Sequence, residues 1–334
     1  MLRLPSFSRP PRSSASPTAV TTGRFRSLVG PLAALTLLFA GPAGQAAGLT
    51  PALGTTGPGI TAARVEPKAP LSDARWNEHV ATVQRRLDQA VARGQETDVR
   101  YTVHGDREHW LLSRVRLQRQ VADELYARGA AVPDEGRAVV TGGLMGAGKT
   151  TVLTRYSGVD LSHYLTVSAD DVKDVMCERR MIPEVAGLTP LEASTLVQEE
   201  SSLIAKMVAS RAYAERKNII WDFSMSSRGS VESRLTAMRT AGYGDIDALF
   251  VDIPVEASVL RADHRHRTGH EAFRNGRGCG GRYVPAQLIR ASADPEWGSV
   301  NRRAFEETKH LFDQWSLYDS SGATPVLVAA GTKK

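Results

Sequence analysis

Residues 137–152 read RAVVTGGLMGAGKTTV. The pattern G-x-x-x-x-G-K-[ST] falls on Gly143, Gly148, Lys149 and Thr150. An apolar run at 138–141 precedes it and a helical run at 151–156 follows. That strand–loop–helix context separates a phosphate-binding loop from a chance glycine-rich turn. Such a loop must turn the backbone N–H groups of Gly143, Leu144, Met145, Gly146, Ala147, Gly148, Lys149, Thr150 and Thr151 onto phosphate oxygens. The approach requires positions without a Cβ. The helix opening at Lys149 adds the positive end of its dipole. Lys149 is expected at the β- and γ-phosphates and the Thr150 hydroxyl at Mg²⁺, so ATP and Mg²⁺ are the expected cofactors.

The pattern continues outward from this loop. Short apolar runs at 138–141, 164–167, 218–221, 248–251 and 325–328 read as buried strands. Helical segments lie between them at 149–156, 171–179, 190–216, 230–241, 255–267, 285–293 and 302–311. Strands alternating with helices predict an α/β fold: a P-loop-type parallel sheet with helices on both faces. Upstream, 72–93 and 107–128 read as helices that form an N-terminal extension. In the second, Trp110, Leu111, Val115, Leu117, Val121, Leu125 and Tyr126 recur at helical spacing, and Gly129 stands at the expected stop. No internal repeat is present.

Ligands in open α/β sheets bind beyond the carboxyl ends of the strands, so acids there are candidates for chemistry. The second strand ends in VSADDVK, with Asp170 and Asp171. Asp170 is the candidate base for an acceptor hydroxyl, with Asp171 capping the helix or supporting the site; the competing reading makes either one an N-cap. The third strand ends in IIWDFSMSS, where Asp222 is a candidate Mg²⁺-linked acid or substrate contact and Ser224, Ser226 and Ser227 are candidate substrate contacts; the competing reading is a turn with solvated hydroxyls. Asp252 in LFVDIP is a rival acid, or a cap before the helix that Pro254 announces. Residues 261–283, RADHRHRTGHEAFRNGRGCGGRY, hold six Arg, three His and five Gly. Arginines there suit the charge of a transferring phosphoryl group, and Gly276, Gly278, Gly280 and Gly281 suggest a mobile lid. The spacing of His264, His266 and His270 fits no standard metal cluster.

The chain has 334 residues, a formal charge of +6, and two cysteines, Cys177 and Cys279. The spacing of the cysteines neither demands nor forbids a bridge between them. No nucleic-acid-binding signature accompanies the basic balance, so no specific nucleic acid is expected. The first 26 residues carry five Arg and no acid. An apolar run at 28–40 and small residues at Gly44 and Ala46 follow. This is the layout of a secretory signal over 1–46, too short in its apolar part for a stable span, so no membrane span is expected after cleavage. A flexible linker rich in Gly, Pro, Ala and Thr is expected over 47–70, and the catalytic domain over 71–334 with its core at 137–330. The alternatives are an uncleaved anchor, or a start codon placed upstream of a cytoplasmic enzyme. Export sits uneasily with ATP, which is scarce outside cells; delivery into another cell would resolve this.

The order GGLMGAGKTT, VSADDVK, NIIWDFSMSS, then an Arg-rich helix leading to GRYVP, resembles the zeta-toxin family of P-loop kinases over roughly residues 105–330. The helical lead-in ending in Val-Pro before the first strand is also similar to that family. The resemblance implies an ATP- and Mg²⁺-dependent kinase that phosphorylates the 3′-hydroxyl of UDP-N-acetylglucosamine, and an antitoxin or immunity protein as partner. It implies that Lys149 and Thr150 hold phosphates and Mg²⁺, and that Asp170 activates the acceptor hydroxyl. Arg265 and Arg282 would surround the transferring phosphate, with Arg261 or Arg267 as substitutes for Arg265 under a small slip. Asp222 stands where the family has a Glu that contacts substrate, and the leader is a second departure. Kinases of another metabolite or polynucleotide end, or a secreted ATP-binding effector without turnover, remain the rival readings.

Overall fold

The computed structural model describes residues 68–333. The expected secretory signal, and the expected linker up to residue 67, lie outside the described residues. In chain order the elements are α1 (Asp73–Ala92), α2 (Thr97–Arg100), α3 (Leu112–Ala127), β1 (Arg137–Gly142), α4 (Lys149–Arg155), β2 (Leu165–Ser168), α5 (Ala169–Glu178), α6 (Gln198–Glu215), β3 (Ile219–Asp222), α7 (Arg228–Thr240), β4 (Asp245–Asp252), α8 (Val255–Arg274), α9 (Ala286–Arg290), β5 (Ala293–Asp294), β6 (Gly298–Ser299), α10 (Val300–Thr308), β7 (Gln314–Asp319) and β8 (Val326–Thr332). Among the described residues, no helix is long and apolar enough to cross a membrane.

Six strands form one sheet in the order β2-β3-β1-β4-β7-β8. The first four pairings are parallel, and β7–β8 is antiparallel. Alternation along the central strands divides the core into two layers. Ala138, Val140, Ile219, Trp221, Ala248 and Phe250 face one cluster; Val139, Ile220, Leu249 and Val251 face the other, with Val152 and Leu153 of α4. Near-continuous apolar runs arise because both faces are covered. The chain leaves β1 for β2 on one side and reaches β4 on the other, so the strand order reverses beside β1. The phosphate loop opens at that switch point, where such sheets place their ligands.

Three expectations need correction. The run at 325–328 is not a buried parallel strand: β8 is an antiparallel edge strand, and Val326, Leu327 and Val328 are exposed. The fifth parallel strand is β7, which pairs with β4. The second helix begins at Leu112 rather than 107, after a short β-bridge between Thr102 and Trp110. Its inward face is Arg114, Gln118, Val121, Ala122, Leu125 and Tyr126, while Leu111 and Leu117 are exposed. The polar pair on that face is satisfied: Arg114 Nε and Nη2 donate to the two oxygens of buried Glu200 at 2.7 and 2.8 Å, and Gln118 Nε2 donates at 3.0 Å. Gly129 follows α3 because a Cβ there would lie 2.9 Å from the Leu165 side chain, not because a left-handed turn requires it.

Candidate active site

The phosphate loop is held open by bonds on its outer side. Gly143 has φ +128°, and a Cβ there would meet the Val251 carbonyl oxygen at 2.2 Å, so only glycine fits. Gly146 and Gly148 are also left-handed, at +76° and +89°. The loop carbonyls are bound away from the cleft. Ser258 Oγ donates to Met145 O and Ser320 Oγ to Ala147 O, both at 2.5 Å, and Ala147 N donates to Leu144 O at 3.1 Å. Gly143 N donates to Ser224 O at 3.2 Å. Among the described residues, the amides of Gly146, Gly148, Lys149 and Thr150 donate to no backbone carbonyl. A ring of committed carbonyls and uncommitted amides at a helix N-terminus is an anion cradle.

One cleft of about 690 Å³ gathers the expected site. Met145, Gly146, Gly148, Lys149, Thr150, Thr151, Asp170, Asp171, Asp222, Ser224, Arg265 and Arg282 all line it. Gly143, Leu144 and Ala147 stand behind this wall as its support. The α5 helix is capped by Ser168, whose Oγ accepts from the amides of Asp170 and Asp171 at 3.1 and 3.4 Å. Neither aspartate is therefore the N-cap, and both side chains are left for the cleft. Asp222 Oδ1 accepts from Thr141 Oγ1 at 2.5 Å, which fixes that carboxylate at the mouth between β1 and β3. Asp252 is neither cap nor site residue. It pairs with Arg302 at 2.7 Å and lies outside the cleft lining.

Charge converges on Asp170. Arg282 Nη1 lies 3.6 Å from one of its oxygens and Lys173 Nζ 3.6 Å from the other. Burial works to raise its pKa, but Arg282, Lys173, Arg265 and Lys149 together outweigh burial and hold the carboxyl below its ordinary value. Asp171 moves the other way: burial first, then the charges of Asp174 and Asp222, push it up. The two neighbours are thus driven apart, with Asp170 the firmly ionised one. Lys173 is a site residue that motif reading passed over, although its spacing from Asp170 was visible. It is buried, and Nζ donates to Gln198 Oε1 at 2.7 Å; burial lowers its pKa, with Asp170 opposing.

The arginine-rich segment is not a free flap. Its first fourteen residues, 261–274, are the end of α8. Arg267 faces away from the cleft, paired with Asp73 at 2.7 Å, and so does not substitute for Arg265. Arg261 lines the cleft, but it also ties Ser320 to the phosphate loop through Nη1 at 3.1 Å. Among the described residues, Arg265 makes no hydrogen bond or ion pair. Arg282 Nη2 donates to Asp170 O at 2.9 Å and Asp174 Oδ2 at 2.6 Å, while its buried Nε has no partner among them. The glycines serve close packing as much as turning. A Cβ on Gly281 would lie 2.0 Å from the His266 carbonyl oxygen, and one on Gly280 would lie 2.1 Å from Thr189 Oγ1. Leu191 N donates to Cys279 O at 3.0 Å. Cys177 and Cys279 form a disulfide that joins α5 to this loop. The expected lid is therefore pinned, and only Gly276 and Gly278 stand in open space.

Beside Trp221 and Phe223, α7 adds Arg234 to the cleft lining. Its guanidinium lies 4.2 Å from the Phe223 ring centroid and 5.3 Å from that of Trp221, and its buried Nε has no partner among the described residues. Burial lowers its pKa, yet an arginine stays charged.

A family model described as Zeta toxin matches residues 123–323. Among solved structures, AvrRxo1-ORF1 in complex with AvrRxo1-ORF2 and sulphate ions is similar at 15% identity and TM-score 0.52, covering 67% of this chain and 69% of that one. The AvrRxo1-ORF1:-ORF2 complex with ATP gives 14% identity and TM-score 0.52, with 66% and 68% covered. A structure from the PezAT chromosomal toxin-antitoxin system of Streptococcus pneumoniae gives 11% identity and TM-score 0.45, with 66% and 81% covered. At 14–15% identity the likeness to the AvrRxo1-ORF1 structures is one of fold. No curated protein matches by sequence.

Proposed function

This chain belongs to the zeta toxin family, and from that premise we propose that it transfers the γ-phosphate of ATP to a hydroxyl of a small acceptor, UDP-N-acetylglucosamine at its 3′-hydroxyl being the first candidate. The carrying observation is the meeting of the phosphate loop, Asp170, Arg265 and Arg282 in one cleft at the sheet's switch point. The similar AvrRxo1-ORF1 structure with ATP supports the choice of nucleotide. The cradle fits that ligand on its own terms, since the amides of Gly146, Gly148, Lys149 and Thr150 are uncommitted at a helix N-terminus among the described residues.

In this reading, Lys149 and the loop amides hold the β- and γ-phosphates. Asp170 accepts the hydrogen bond of the acceptor hydroxyl and takes its proton late, as the new O–P bond forms and the β–γ bridge bond breaks to release ADP. Arg265 and the unpartnered Nε of Arg282 neutralise charge on the transferring group. Thr150, with Asp222 nearby in the cleft, is the residue that would hold Mg²⁺, which when bound neutralises phosphate oxygens. Asp171, Asp222 and Ser224 line the acceptor side. Arg234, over Phe223 and without a carboxylate partner, suits an acceptor that itself carries phosphate.

Export fits the Cys177–Cys279 bridge, because disulfides persist in oxidising compartments. A toxin of this kind would require a protecting partner, and AvrRxo1-ORF1 was solved together with a second polypeptide. The test is transfer of label from [γ-³²P]ATP to UDP-N-acetylglucosamine and to a panel of other hydroxyl-bearing metabolites. Lys149→Ala should abolish transfer, and Asp170→Asn should lower it by about 10²–10⁴-fold, both with unchanged melting. Full transfer by Lys149→Ala would end the kinase reading; transfer only to another acceptor would redirect the substrate.

A further inference from the structure

Three histidines converge on one buried carboxylate away from the cleft. Glu192 Oε1 lies 2.7 Å from His79 Nε2, 2.9 Å from His266 Nε2 and 2.9 Å from His270 Nδ1. His266 and His270 are one turn apart on α8, His79 comes from α1, and Glu192 comes from the 3₁₀ turn before α6. His264 is not a member. Glu192 and His266 have side-chain exposures of 0% and 2%. The other Glu192 oxygen accepts from the Thr189 amide at 2.7 Å, which fixes the carboxylate's orientation.

The charge of this cluster does not balance. Glu192 is fully buried, and its two oxygens take three imidazole contacts and one backbone amide, so the pocket is built around a carboxylate. Among the described residues, no Lys or Arg touches Glu192. A second carboxylate, Asp263, accepts from Trp76 Nε1 at 3.0 Å, and the Trp76 ring packs 4.6 Å from that of His266. Neutral imidazoles leave a buried, uncompensated negative charge, which is expensive. A proton or a cation must sit there.

We propose that His79, Glu192 and His266, with His270 as fourth ligand, form a structural site for a borderline-soft divalent metal of the Zn²⁺ type. With His270 drawn in from its contact with Glu192, three imidazoles and one carboxylate complete a four-ligand set with the donor chemistry that Zn²⁺ and its neighbours prefer. The donor atoms of His79, Glu192 and His266 lie within 4.8 Å of one another. A tetrahedral ion about 2.0–2.2 Å from each donor needs neighbours roughly 3.3 Å apart. The 2.7–2.9 Å contacts to Glu192 Oε1 must open and the imidazole nitrogens, within 4.8 Å for His79 and His266, must draw together, so the side chains close around the ion as it binds. With no open position the ion is not a catalyst. It staples α1 and the 189–192 turn to α8, immediately beside Arg265.

The experiment uses the full chain, untagged, and has no activity readout. After dialysis, metal content by mass spectrometry should reach one Zn²⁺ per chain. Co²⁺ in its place should show intense visible bands of a tetrahedral site. His79→Ala and Glu192→Gln should weaken Co²⁺ binding by more than about tenfold, while His264→Ala should leave it intact. If those variants fail to fold, the wild-type chain still decides. Free Zn²⁺ about 100-fold above its Kd should raise the melting midpoint by roughly 5–10 °C, and dipicolinate should reverse this. Less than a tenth of an equivalent of Co²⁺, or melting indifferent to metal and chelator, would mean that the cluster carries a proton instead and would overturn the proposal.

Discussion

Breaking the Cys177–Cys279 bridge separates its two roles. The bridge closes a loop across a sequence separation of 102. Chain entropy alone assigns about 4.7 kcal/mol to a loop of about 100 residues, and measured values more often fall at 2–4 kcal/mol. For a domain of this size that is a fall in melting midpoint of roughly 5–15 °C. The bridge also ties α5, which carries Asp170, Lys173 and Asp174, to the loop that presents Arg282 three residues after Cys279. An ångström-scale misplacement of that guanidinium can cost up to about 100-fold in rate. The perturbation is Cys177→Ser with Cys279→Ser, compared with wild type in the presence and absence of a reductant.

Calorimetry and phosphoryl transfer, the latter assayed at least 15 °C below either melting point, report the two roles separately. Lower melting together with lower kcat at that temperature is expected. The reductant should reproduce both effects in wild type and neither in the double variant. A double variant that melts within about 1 °C of wild type would refute the cross-link's contribution to stability. Unchanged kcat would refute the coupling between the bridge and Arg282.

The remaining predictions concern the buried charges. Arg114→Met strands Glu200 in the core and should cost about 3–5 kcal/mol by denaturant unfolding, whereas adding Glu200→Leu should restore most of it. Asp247 is pushed up to about 6, chiefly by burial and then by Asp245. Its folded value exceeds the unfolded one, so its contribution is fully present below about pH 4 and is lost as pH rises through about 6. Asp247→Asn should therefore stabilise the protein at pH 7.5 by about 1–2 kcal/mol and have no effect near pH 4, read as paired melting curves.

The sequence displayed the nucleotide site because that site depends on local requirements. A loop that needs glycine at 143, a lysine and a threonine at a helix start, and an acid after a buried strand is written in consecutive residues. Strands β1, β3 and β4 were legible for a related reason: both of their faces are covered, so their middles are apolar. Where burial and hydropathy part company, reading failed. β8 is apolar yet exposed along Val326, Leu327 and Val328, whereas β7 is mixed in composition yet pairs inside the sheet. Arg114 and Gln118 were invisible as core residues because their partner, Glu200, lies 86 and 82 positions away. The histidines of α8 made no pattern on their own, since His79 stands 113 residues from Glu192.

The N-terminal helix belongs to the machinery of the site, although the matched family region begins only at residue 123. α8 presents two faces. Arg261 and Arg265, one turn apart, line the cleft. Asp263, His266, Arg267 and His270 meet α1 or the residues just before it, through Trp76, His79, Asp73 and the Leu71 carbonyl. Rotating α8 by one residue, about 100°, would withdraw both cleft arginines, and that rotation would break every contact with α1. Tyr283, beside Arg282, is held by the same helix through a 2.7 Å hydrogen bond to Gln84. The extension thus sets the angle at which positive charge meets the phosphate loop. The core holds α8 from the cleft side through Ser258 and Arg261, and α1 holds its other face.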